Sequence, residues 1–160
     1  MWREGKFGVL VVDDEPSVLM TYKLILQRRG YAVHTAETSV KAIELVNANT
    51  YDLLLCDYSL EQEHTGFEVI QAARARDPKI TAVLLTGYAS KETVTRAQAD
   101  NITVLFKPID IEEFFRTVEN LKRDDHGQAD KLESEKGAGE KRESKTGKRG
   151  ASAGRSGPVD

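Results

Sequence analysis

Cysteine is nearly missing from this sequence of 160 residues, where Cys56 stands alone. No intrachain disulfide can form, and no cysteine-rich metal site can be built. Long hydrophobic runs are lacking as well. The longest, Phe7 to Val12, is far shorter than the roughly 20 residues a membrane-spanning helix needs. Glu4, Gly5 and Lys6 interrupt the amino end before any apolar core forms, so it does not read as a signal peptide. Nor is there a large excess of either charge. The formal net charge of -3 excludes a globally basic nucleic-acid binder, though not a local basic patch. The length leaves room for one domain, or one domain and a tail, and excludes a multidomain enzyme. The expectation is a soluble, reduced, cytoplasmic protein that makes no contact with a membrane.

Composition changes after Leu121. Over 123–160 the only large aliphatic residues are Leu132 and Val159, and aromatic residues are absent. Such a segment cannot bury enough apolar surface to offset its ordering entropy, so a domain over 1–122 and a disordered, low-complexity tail over 123–160 are expected. The tail is acidic at first and basic at its end, with Lys141, Arg142, Lys145, Lys148, Arg149 and Arg155. That end is suited to contact with nucleic acid or an acidic partner, but a solvated tail explains the composition without any partner.

Within 1–122, short apolar runs alternate with helical stripes. Phe7 to Val12, Tyr31 to Ala36, Asp52 to Asp57, Ile80 to Leu85 and Thr103 to Phe106 read as strands, the longer ones buried on both faces. After the first, Pro16 suits the opening turn of a helix carrying Val18, Leu19, Tyr22, Ile25 and Leu26, which Gly30 stops. Ser39 to Asn47 presents Val40, Ile43 and Val46. Thr65 and Glu68 have capping-box spacing ahead of Phe67, Ile70 and Ala73. Ser90 to Ala99 has only Val94 and alanines to bury. The last helix opens at Asp110 and presents Ile111, Phe114, Phe115, Val118 and Leu121. Five strands alternating with five helices predict an α/β fold, a doubly wound five-stranded parallel sheet covered on both faces.

In such a sheet, ligands bind beyond the carboxyl ends of the strands. Asp13 and Asp14 follow the first strand, Asp57 ends the third, Thr86 follows the fourth and Lys107 ends the fifth. Each has an ordinary explanation taken singly: Asp13 and Asp14 as helix caps, Asp57 in a turn, Lys107 snorkelling. Together they converge on one acidic site with one lysine. Three close carboxylates repel one another, and a hard divalent cation with oxygen ligands relieves that conflict, with Mg²⁺ the best match. One carboxylate would then serve as a nucleophile in aspartyl-phosphate chemistry, and the rigid end of the third strand favours Asp57.

At these residues the sequence resembles the receiver domain of two-component response regulators, of flavodoxin-like fold, over roughly residues 6–122. The resemblance rests on Val-Val-Asp-Asp-Glu at 11–15, on Asp57, on Leu-Leu-Thr-Gly at 84–87 and on Lys-Pro at 107–108. It implies a (βα)5 sheet of strand order 2-1-3-4-5. It also implies phosphoryl transfer to Asp57 from a histidine kinase or a phosphotransfer protein, with Mg²⁺ held by Asp14, Asp57 and the Ser59 backbone carbonyl. By the same carry-over Asp13 acts through metal-bound water, Thr86 moves toward the phosphoryl group, Lys107 pairs with it, and the Lys107–Pro108 bond is cis. With no output domain visible in the sequence, the resemblance implies a stand-alone switch. A downstream protein would read the helix 4, strand 5 and helix 5 face.

Two positions depart from the family pattern. Val104 stands where a switch aromatic is usual; Phe106 and Tyr88 are the nearby aromatics, and Phe106 is expected to be ordinary core. Glu61 occupies a position where proline is common, in an acidic loop that runs from Tyr58 to Gly66. His64 in that loop is expected to be solvated. Ser59 and Tyr88 sit where the family tunes phosphate lifetime, and a bulky Tyr88 predicts a long-lived aspartyl phosphate. Cys56 is expected to be buried packing and not a nucleophile.

Other function classes fit less well. Val104 keeps alive a constitutive protein-interaction module whose output ignores phosphorylation. An aspartyl-nucleophile phosphatase would want a carboxylate where Ser59 stands, and Asp13, Asp14 and Glu15 would repel a flavin phosphate. Sequence-specific nucleic-acid binding needs a folded reader that the residues after Leu121 do not supply.

Overall fold

The computed structural model describes residues 2–126, with side chains through residue 122. The tail expected from 123 onward therefore lies, from 127, outside the described residues. Contacts divide the chain between Phe114 and Phe115. The first unit carries the whole sheet. Of the second, only the continuation of the last helix is described.

Five strands, β1 (Gly8–Val12), β2 (Ala32–Ala36), β3 (Leu53–Asp57), β4 (Thr81–Thr86) and β5 (Thr103–Phe106), alternate with five helices. The helices are α1 (Pro16–Arg28), α2 (Ser39–Ala48), α3 (Gly66–Arg76), α4 (Lys91–Ala99) and α5 (Ile111–His126). All strand pairings are parallel, in the order β2-β1-β3-β4-β5. This is the doubly wound arrangement expected. Helices on both faces explain why β1 and β3 are apolar without alternation: every residue of each is buried.

Local chemistry sets the element ends. Pro16 opens α1, where a missing N–H costs nothing, and Gly30 leaves it at φ +92°, a left-handed conformation that glycine adopts without penalty. The Thr38 side chain accepts from Lys41 N at 3.0 Å to cap α2, and Ser90 Oγ accepts from Thr93 N at 3.1 Å to cap α4. Thr65 N donates to Glu68 Oε2 at 3.4 Å, one arm of the expected capping box. Asp110 Oδ1 accepts from Glu113 N at 3.0 Å at the start of α5.

Three expected core positions are corrected. Ile111, in the first turn of α5, is 41% exposed. Val40 is 60% exposed; the buried face of α2 is instead Ser39, Ala42 and Val46. Ser39 is pulled inward by polar bonds, which turns Val40 out, since neighbouring helical positions differ by about 100°. Phe106 is 53% exposed and is not core. It ends β5, which pairs only with β4, so no strand covers its other side. In α4 only Ala97 is fully buried, and Val94 is half-buried.

Candidate functional site

The parallel sheet brings the carboxyl ends of β1, β3, β4 and β5 to one edge. Asp13 directly follows β1 and is buried; Asp57 is the last residue of β3 and Thr86 the last of β4, both buried; Lys107 follows β5. Asp14, beside Asp13, is exposed. Carboxylate oxygens of Asp13, Asp14 and Asp57 all lie within 4.8 Å of one another, the single such cluster among the described residues. His64 is outside it.

Lys107 Nζ reaches into the cluster, 3.2 Å from Asp13 Oδ2 and 3.3 Å from Asp57 Oδ1. The backbone leaves β5 through a cis Lys107–Pro108 bond, as expected. One ammonium faces three carboxylates, so negative charge is in excess. Burial pushes the Asp57 carboxyl above its ordinary value, Asp13 adds to the rise, and the charge and hydrogen bond of Lys107 oppose it. Lys107 is itself shifted upward: burial works against its charge, but Asp57 and Asp13 outweigh that.

The helix-cap explanation for Asp13 and Asp14 does not hold. Glu15 is the N-cap of α1 and makes no side-chain cap bond; Asp13 Oδ1 accepts from Glu15 N at 3.0 Å, a local turn ahead of the helix. The hard oxygen donors and excess charge fit a hydrated Mg²⁺ ion.

Around the cluster, Thr86 Oγ1 donates to the Tyr88 carbonyl at 2.6 Å and accepts from Tyr88 N at 3.2 Å. The Tyr88 ring is 78% exposed. Cys56 is fully buried beside Asp57, and burial, then the Asp57 and Asp13 charges, push its thiol well above the usual range. Val104 is half-buried on β5.

The loop after Asp57 holds what the sequence reading missed. Glu61 Oε1 and Oε2 accept from Ser39 N at 2.9 and 3.0 Å, and Oε2 accepts from Ser39 Oγ at 2.6 Å. Burial alone would push the Glu61 carboxyl up, but the Ser39 bonds win and hold it below the usual range. An acidic residue in a loop five positions before a helix is a common solvent group, so pattern alone carries no sign of a bond to α2. His64, expected to be solvated, has Nδ1 2.7 Å from Glu68 Oε1, one helical turn on.

A family model for the response regulator receiver domain matches residues 9–119. The chain belongs to this family. The receiver is 32% identical over 116 residues to the transcriptional regulatory protein ZraR of Salmonella typhimurium, covering 72% of this chain and 26% of that protein. It is 31% identical over 106 residues to the alginate biosynthesis transcriptional regulatory protein AlgB of Pseudomonas aeruginosa, covering 66% and 23%. The chain thus spans about a quarter of the length of these curated relatives. Among solved structures, the receiver superposes on a CheY-like receiver domain protein of Methanospirillum hungatei with TM-score 0.70 at 26% identity, covering 74% of this chain and 96% of that one. TrrA of Thermotoga maritima, solved in complex with Mg²⁺-BeF, gives TM-score 0.63 at 29% identity, with coverage of 71% and 97%.

Proposed function

We propose that this receiver accepts a phosphoryl group on Asp57 from the phosphohistidine of a sensor histidine kinase or a phosphotransfer protein. A carboxylate oxygen of Asp57 attacks phosphorus. The P–N bond breaks as the new P–O bond forms, and the imidazole leaves with the electron pair and takes up a proton. The reading rests above all on one observation: Lys107 Nζ lies within hydrogen-bond reach of both Asp13 and Asp57 inside the carboxylate cluster.

In this reading Asp14, Asp57 and the Ser59 carbonyl would hold Mg²⁺ directly, and Asp13 would act on it through water. The bound ion supplies neutralisation of the charge on the transferring group. The chain's own groups do the rest. Lys107 exchanges its Asp57 contact for a phosphoryl oxygen, and the Thr86 hydroxyl gives up the Tyr88 carbonyl to donate to another. The protein is a phosphoacceptor that catalyses its own phosphorylation and dephosphorylation, and not an enzyme acting on a separate substrate. Tyr88 slows hydrolysis by crowding the path of in-line water.

We take residues 1–122 as the receiver domain and its work as a cytoplasmic switch. Phosphorylation biases two conformers, and a protein partner reads the surface of α4, β5 and the start of α5, where α4 has little buried to hold it. Sequence-specific nucleic-acid contact is no part of this reading. Val104, in place of a switch aromatic, favours a second reading, a constitutive module whose partner binds regardless of phosphorylation.

Thermal melts with Mg²⁺ and beryllofluoride, a phosphoryl mimic, test the site. The mimic raises the stability of the wild type beyond what Mg²⁺ alone gives, and only when Mg²⁺ is present, whereas Asp57→Asn gains none from the mimic. Equal shifts in the two proteins would refute the assignment of Asp57. Partner affinity measured with and without the mimic separates the two readings.

A further inference from the structure

The loop from Tyr58 to Thr65 carries the Ser59 carbonyl assigned above to the metal, and its backbone is costly. Gln62 and Glu63 are consecutive non-glycine residues at φ +51° and +65°. Left-handed backbone is unfavourable for L-residues, and it persists only where the surroundings over-determine it. Some of the restraint is internal to the loop. Leu60 N donates to the His64 carbonyl at 2.9 Å, His64 N donates to the Glu61 carbonyl at 2.9 Å, and Ser59 bridges Thr65. Those bonds fix the loop's shape, and its base is anchored by Tyr58 N on the Leu85 carbonyl at 2.8 Å, by Gly66 N on the Tyr58 carbonyl at 2.9 Å and by the buried Leu60. In the hydrogen-bond pattern around Glu61, the link to another element is the Glu61 carboxylate on Ser39 at the first turn of α2.

That link is well made. Ser39 is 2% exposed, both Glu61 oxygens are used, and the acceptor charge sits at the amino end of a helix, where exposed N–H groups and the helix dipole favour an anion. Charge-assisted bonds of this kind are roughly twice as strong as neutral ones. Leu60, the residue before, is extended at φ -120° and ψ -171° and not α-helical, the region that a following proline disfavours.

We propose that Glu61 is a positioning residue for the metal site: its clasp on Ser39 holds the loop so that the Ser59 carbonyl faces the Asp14 and Asp57 carboxylates before any ion arrives. This rests on the site reading above and adds a device particular to this chain. Glu61 and Ser39 do by a tertiary bond what a proline at 61 would do by restricting the backbone. Outer-shell groups that orient metal ligands affect metal affinity by about 10–100-fold.

The test is calorimetric titration of Mg²⁺ into wild type, Glu61→Ala, Glu61→Pro and Ser39→Ala, with amide hydrogen exchange of residues 59–64 in metal-free protein. Glu61→Ala is expected to weaken Mg²⁺ binding about tenfold and to speed loop exchange. Ser39→Ala keeps the backbone bonds and is expected to fall between. Glu61→Pro, which restores stiffness without the carboxylate, is expected to recover most of the affinity. That recovery is what a charge effect or a purely structural role would not produce. The proposal is overturned if Glu61→Ala binds Mg²⁺ as wild type does, or if Glu61→Pro has a protected loop yet stays as weak as Glu61→Ala. A wild type that binds no Mg²⁺ would overturn the site reading instead, and unchanged loop exchange in Glu61→Ala and Ser39→Ala would then dismiss the clasp by itself.

Discussion

The hydroxyl of Thr86 donates to the backbone carbonyl of Tyr88 across 2.6 Å and accepts the Tyr88 N–H at 3.2 Å. The hydrogen that would serve a phosphoryl oxygen is therefore engaged by the loop leading to α4. Binding the phosphoryl group and releasing that loop become one event. Thr86→Ser keeps the hydroxyl and is expected to preserve the response of residues 87–90 to Mg²⁺ and beryllofluoride, followed by amide exchange. Thr86→Ala should lose about 1 kcal/mol of stability with the neutral bond, and the loop should exchange equally fast with and without the mimic. A mimic-dependent loop in Thr86→Ala would sever the two events.

Gly66 opens α3 against the end of β3. A Cβ there would lie 2.6 Å from the Asp57 carbonyl oxygen, 2.8 Å from Leu84 Cδ1 and 3.2 Å from Cys56 Sγ. The first contact is with backbone and cannot yield by rotating a side chain. Gly66→Ala is expected to cost about 1–3 kcal/mol, as overpacking does, and to slow phosphoryl uptake because Asp57 shifts with its strand. Denaturant melts and uptake rates check both. A stable variant with normal uptake would show that the helix moves away and leaves Asp57 in place.

The Cys56 thiol is buried and pushed well above its usual range by burial and by the Asp57 and Asp13 charges. Its thiolate is scarce at neutral pH. Iodoacetamide should leave the folded protein unmodified over the time in which it fully alkylates the chain in denaturant, as read by intact mass. Fast alkylation of folded protein would mean that the β3 end opens to solvent.

Asp57 carries a folded-state shift upward, caused first by burial and then by Asp13. The folded state therefore holds that proton more tightly than the unfolded chain does. The sign follows: metal-free stability contributed by this group declines as pH rises from the ordinary aspartate value through the raised folded one, and the cost is fully present above the latter. Asp57→Asn, which cannot ionise, should melt higher than wild type without metal at neutral pH, with the gap closing under acid. A lower melting temperature at neutral pH would mean that the Lys107 bond outweighs the burial cost.

Much of this was legible in the amino acids. Continuous apolar runs at β1 and β3, capping residues at Thr65 and Asp110, and polar residues at four strand ends follow period and spacing, which a single chain displays. Less visible were properties that depend on what a residue meets from elsewhere. Phe106 reads as core by alternation, but an edge strand leaves it exposed. Val40 reads as part of an apolar stripe, but Ser39 is drawn inward by Glu61 and sets the helix face. The clasp links residues 22 apart and has no periodic signature. Asp52 likewise reads as the first residue of β3; it instead precedes the strand, accepting from Gly8 N at 2.8 Å and pairing with Arg3.

The central claim is that Asp57 is the phosphoacceptor of a Mg²⁺-dependent site. Intact-mass spectrometry after incubation with acetyl phosphate, with and without Mg²⁺, on wild type and Asp57→Asn, tests it most directly. The account predicts one phosphoryl adduct on wild type, formed only with Mg²⁺ and absent from Asp57→Asn. An adduct of equal yield on Asp57→Asn, or none on wild type with either acetyl phosphate or a phosphorylated histidine kinase as donor, would contradict it.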